Sequence, residues 1–87
     1  MMSTLHIISN RQAFARAQSL MQSGDAVLFH GDGCYQALEA LPSLPCYWLQ
    51  SDARARALCS RCPPAITAIE WPRVVALTLD FDNTVTW

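Results

Sequence analysis

At 87 residues, 52% of them hydrophobic and 15% charged, the chain suits a single domain (1–87) with more apolar material than one small core can hide. Six arginines, no lysine and seven acids leave a formal charge of −1, so no direct nucleic-acid binding is expected. No apolar run approaches the ~20 residues of a membrane span and no basic leader precedes one, so a cytoplasmic chain with its four cysteines reduced is expected.

Thr4–Ile8 (TLHII) has the composition of a strand, and Ser9-Asn10 after it reads as a helix cap. From Arg11 to Met21, apolar Ala13, Phe14, Ala17, Leu20 and Met21 recur at helical spacing. Ser23-Gly24-Asp25 ends that helix. Ala26–His30 (AVLFH) is a compact run suited to a strand buried on both faces. Gly31-Asp32-Gly33 breaks it, and Cys34–Leu41 carries a short helical pattern with Asp32 as its expected cap. Cys46–Leu49 predicts a third strand and Ser51–Leu58 a short helix capped by Ser51 or Asp52. Cys59–Pro64 is an irregular loop, Ala65–Ile69 a fourth strand, and Pro72 opens a last helix through Leu79. Asp80–Trp87 is β-rich but short and receives no element. This alternation predicts an α/β domain of three layers, with about four mainly parallel strands and helices on both faces.

Four motifs invite chemical readings. Asp80-Phe81-Asp82-Asn83-Thr84 after an apolar run is the way haloacid-dehalogenase-type phosphatases present a nucleophilic aspartate. Without a lysine or downstream acidic ligands the set stays incomplete, and a polar chain end after a helix is expected. Gly31-x-Gly33-x-x-Gln36 is a dinucleotide fingerprint lacking its third glycine, although Asp52 falls where a ribose-binding acid would sit. Cys59-Ser60-Arg61-Cys62 has the spacing of a zinc knuckle or a redox pair. It has no second knuckle and follows a helix instead of opening one, so incidental loop cysteines are expected. Cys34 is the better-placed thiol, at the carboxyl edge of a strand and in the first turn of a helix. It is the candidate persulfide carrier, weighed against a packing role. His6 and His30 read as core or edge histidines, and Arg54, Arg56 and Arg61 as a solvated helix face.

Four stretches, Leu5-His6, Asp32-Gly33-x-Tyr35-x-Ala37-Leu38, Tyr47-x-Leu49-x-x-Asp52-x-x-Ala55-Arg56, and Val75-x-Leu77-Thr78 with the terminal Trp87, together resemble the TusB/DsrH family of sulfur-relay subunits. The resemblance implies a DsrE-like fold and a place beside TusC-like and TusD/DsrE-like subunits in a heterohexamer. Such a complex passes persulfide sulfur toward 2-thiouridine at the tRNA wobble position. It further implies that the relay cysteine belongs to the TusD/DsrE-type subunit, leaving this chain non-catalytic, with no cofactor or metal. Two departures stand out: Ala57 replaces the family's glycine after Ala-Arg, and the loop before the fourth strand has gained a CxxC. The alternative is a small sulfurtransferase-like protein that carries persulfide on Cys34, as a homo-oligomer or in sulfur oxidation.

Overall fold

A computed structural model describes residues 3–87. β1 (Thr4–Ile8), β2 (Ala26–Phe29), β3 (Cys46–Leu49) and β4 (Ile66–Ile69) lie close to their expected places. Between them run α1 (Arg11–Gln18), α2 (Gly33–Gln36) and α3 (Gln50–Ala55), followed by a 3₁₀ turn at Cys59–Arg61 and by α4 (Trp71–Leu79). A fifth strand, β5 (Asn83–Thr86), completes one sheet of order β4-β3-β2-β1-β5, every pair of which is parallel. The α/β class and the helices on both faces hold; the strand count is five instead of four.

The extra strand corrects both expectations for the tail. Asn-Thr-Val-Thr is mostly exposed and has no apolar alternation, so its own sequence does not announce a strand. Its position comes from elsewhere. The Asp82 carboxylate accepts the Ser3 backbone N–H at 2.9 Å, Asn83 donates its N–H to the Ser3 carbonyl, and Trp87 donates its N–H to Ile7. Asp80 pairs with Arg73 at 3.8 Å. Of the D-x-D-N-T carboxylates, Asp82 therefore ties the start of β5 to the edge of β1, whereas Asp80 stays with α4.

Strand order dictates the layers. The first three crossovers step outward from β1 to β4 in one direction, whereas the fourth returns past β1 to β5. Right-handed crossovers then put α1, α2 and α3 on one face and α4 alone on the other. Two core clusters follow that division. Ala13, Phe14 and Ala17 of α1 pack with Phe29, Trp48 and Leu58 on the first face; Val74 and Leu77 of α4 pack with Leu5, Leu28 and Leu49 on the second. Central β2 is buried at all four positions, as its unbroken apolar run requires.

Local signals explain most boundaries. Asn10 caps α1, its side-chain oxygen accepting the Ala13 N–H at 2.7 Å. α1 closes at Gln18, short of the expected Met21, and Leu20 is left exposed. Neither Asp32 nor Ser51 nor Asp52 acts as a cap, because α2 and α3 have no side-chain cap hydrogen bond. Gly33 permits a close crossing: a Cβ there would lie 2.2 Å from the Ile8 carbonyl oxygen.

Ala57 ends the α3 region at φ +56°, a left-handed backbone that favours glycine. This is the position where the sequence departs from the Ala-Arg-Gly pattern. Ala57→Gly is accordingly expected to stabilise the fold by about 1 kcal/mol, read as a rise in urea midpoint at unchanged slope.

Candidate functional site

The carboxyl ends of parallel strands are where α/β sheets bind ligands, and Cys34 lies there. The thiol is 0% exposed, with Sγ 4.0 Å from the Phe29 carbonyl oxygen. Burial, then the Asp52 carboxylate, push its pKa up to about 11, with smaller contributions in the same direction from Cys59 and Asp32; Arg56 opposes them only in part. α2 is a single turn, too short for its dipole to offset this. At pH 7 a thiol of that pKa is ionised on the order of once in 10⁴ molecules, so Cys34 is a poor nucleophile as it stands. Iodoacetamide is expected to modify half-buried Cys59 and Cys62 first and Cys34 only on unfolding. Fast, selective labelling of Cys34, located by peptide mass mapping, would reverse this assignment.

The loop before α2 is locked by α3. Asp52 Oδ2 accepts the Gly31 N–H at 2.7 Å, and Arg56 donates from Nε to Asp32 Oδ1 at 3.1 Å, its Nη2 forming an ion pair with the same oxygen. Arg56 Nη1 also donates to the Asp52 carbonyl. Two stretches singled out in the sequence, one around Asp32-Gly33 and one around Asp52–Arg56, thus clamp each other. The clamp corrects one expectation and bears on one motif. Arg56 belongs to no solvated face, and the Gly31 and Gly33 N–H groups that a phosphate would need are given to Asp52 and to the His30 carbonyl. Asp52 anchors the loop through Oδ2.

A second pair of stretches also meets. Trp87 Nε1 donates to His6 Nδ1 at 3.1 Å, and His6 Nε2 lies 2.9 Å from Asp25 Oδ2. The indole can only donate, so Nδ1 accepts and the ring proton sits on Nε2, facing Asp25. Asp25 also accepts the Thr4 and Gln22 N–H groups. Burial alone would raise its pKa, but these three hydrogen bonds and the neighbouring His6 outweigh it and hold the carboxyl below 3.8. Sequence reasoning left Asp25 as a mere helix end. The buried histidine on β1 was the signal that a partner had to exist.

Cys59 opens the 3₁₀ turn and Cys62 follows it, and neither they nor Cys34 and Cys46 form a disulfide among the described residues. Burial, and secondarily Cys59, raise the Cys62 pKa, the reverse of an activated redox thiol. Among the described residues no three His, Cys, Asp or Glu side chains gather as a metal site. Nor is any helix long and apolar enough to cross a membrane.

Two hollows remain. A shallow one beside the start of α1 is lined by Asn10, Arg11, Asp32 and Tyr35, whose charged groups are already paired with Glu39 and Arg56. A narrower apolar groove of about 220 Å³ lies on the α4 face, lined by Ile7, Leu28, Leu49, Trp71 and Val74, with His30 at its polar end. His30 follows β2, and its Nε2 is enclosed without a hydrogen-bond partner among the described residues.

A family model described as DsrH like protein matches residues 8–84. Among solved structures, the crystal structure of the ychN protein from E. coli is similar to this chain with a TM-score of 0.66 at 14% identity, covering 99% of this chain and 100% of that one. A comparison with curated proteins finds no match.

Proposed function

The chain belongs to the DsrH-like protein family, and from that premise we propose that it is a non-catalytic subunit of a TusBCD-type sulfur-relay complex. The complex would support 2-thiouridine formation at the tRNA wobble position in the cytoplasm, with the relay cysteine on a TusD/DsrE-like partner. Beyond family membership, the observation that carries the reading is the state of Cys34: fully buried, pKa raised, hydrogen-bonded inward. A persulfide carrier has to present its sulfur to two partners in turn, and Cys34 presents it to neither. The clamp and the His6–Trp87 contact hold the surrounding framework rigid, which suits a subunit that contributes shape.

The test is rescue. In a strain lacking the gene, 2-thiolation of wobble uridine is expected to fall, and a chain carrying Cys34→Ala, Cys46→Ala, Cys59→Ser and Cys62→Ser is expected to restore most of it. The two buried changes, at Cys34 and Cys46, are each expected to cost about 1 kcal/mol, so folding is checked in parallel by circular dichroism. A folded quadruple variant that co-purifies with TusC-like and TusD-like subunits yet restores no thiolation returns the sulfur-carrying role to a cysteine of this chain.

A further inference from the structure

The subunit reading gives no part to Cys59-Ser60-Arg61-Cys62, and the fold shapes this loop into one closed turn. Cys59–Arg61 is the 3₁₀ turn between α3 and β4, and the Cys62 N–H donates to the Cys59 carbonyl at 3.3 Å. Residues three apart in such a turn stand over one another, with Cα atoms less than about 7 Å apart. A disulfide spans Cα separations of about 4.4–6.8 Å, so the turn brings Cys59 and Cys62 into its range. Both side chains are half-buried against the core of the first face, and Ser60 and Arg61 between them are exposed. Cys34 and Cys46, on the same side of the sheet, are closed off by burial.

The two thiols are not equivalent. Cys62 Sγ lies 3.7 and 3.9 Å from the Pro63 and Ile66 carbonyl oxygens, and burial holds its pKa up. That disqualifies Cys62 as the attacking thiol but leaves it placed to finish an exchange begun at its neighbour. Cys59 opens the turn, beside exposed Ser60. We propose that Cys59 and Cys62 form a reversible disulfide by exchange with a low-molecular-weight disulfide such as glutathione disulfide. The Cys59 thiolate attacks one sulfur and expels a thiolate, which takes up the proton Cys59 gave to water; a mixed disulfide is left on Cys59. The Cys62 thiol then attacks the Cys59 sulfur, and the second small thiol leaves with the Cys62 proton. Two protein thiols are oxidised, one small disulfide is reduced to two thiols, and a dithiol reductant reverses the exchange. Arg61, exposed between the two cysteines in the chain, suits the carboxylates of an anionic disulfide. This exchange is independent of the subunit reading, which requires no cysteine of this chain.

The full chain, incubated with excess glutathione disulfide near neutral pH, is expected to lose two hydrogens in intact mass and to retain no glutathione. Trypsin cuts after Arg56, Arg61 and Arg73, so residues 57–61 and 62–73 are expected to stay joined until dithiothreitol separates them. Far-UV dichroism is expected to be the same before and after. Cys62→Ser is expected to stop at a mixed disulfide on Cys59. Cys59→Ser is expected to take up glutathione on Cys62 about 10-fold more slowly than Cys62→Ser does on Cys59. The wild-type peptide map decides even where a variant fails to fold. A chain left unmodified, a Cys59 that keeps its glutathione, or a link from Cys59 to Cys34 or to a second chain overturns the proposal. Equal rates in the two folded variants overturn it as well.

Discussion

Asp25→Ala is expected to destabilise the fold by about 3–5 kcal/mol at pH 7, the size seen when one partner of a buried pair is removed. The carboxylate serves three donors: the Thr4 N–H, the Gln22 N–H and His6 Nε2. Alanine leaves all three without their acceptor, two of them on β1 itself. His6 cannot turn its other nitrogen toward the gap without losing the Trp87 indole. The pH dependence has a definite sign. Because the folded carboxyl titrates below 3.8, its contribution is complete above the unfolded pKa and fades as pH falls through the lower folded value. The gap between wild type and Asp25→Ala should therefore narrow from pH 7 to pH 3 in urea titrations. A gap that stays constant would show that Asp25 acts through packing alone.

Trp48→Ala is the second large effect, about 3–5 kcal/mol from lost burial and the cavity left behind. Its side chain is completely buried on β3, beside Phe29 of β2, and its indole Nε1 donates to Gln50 Oε1 at 3.1 Å. Domains of this length hold roughly 4–13 kcal/mol in all, so much or all of the stability is at stake. Tyr35→Ala, on a half-exposed ring, should change it by only about 0.5 kcal/mol. Equal urea midpoints for the two variants would contradict this placement of Trp48.

Sequence alone locates aromatic residues far better than it says which way they face. By sequence, Trp48 and Tyr35 each fit either an exposed interface or the core; alternation along β3 turns Trp48 into the helix-covered layer. The four buried positions of β2, the Asn10 cap and the proline opening α4 are legible because each follows from one residue type in one local setting. β5 is not, since its reason lies some 79 residues away in the free edge of β1. Asp52 misleads for the same reason: a capping residue by composition, it reaches 21 residues back to the Gly31 N–H. The resemblance to the family was the stronger guide. Its separate stretches turn out to be contact pairs, Leu5-His6 with Trp87 and Asp32-Gly33 with Asp52–Arg56.

The pairing of β1 with β5 also sets an order of events during synthesis. Among the five strands described, β1 leaves the ribosome before the others, and one of its neighbours, β2, follows soon afterwards. Its other edge, from Thr4 to Ile7, has to wait for Asn83–Thr86. Until then the nascent chain presents an open, apolar strand edge, with Leu5 lacking the helix that later covers it. Closing so distant a contact is slow by its topology. A translating population should therefore be most prone to aggregation, and most dependent on chaperones, just before the last few residues of the domain emerge.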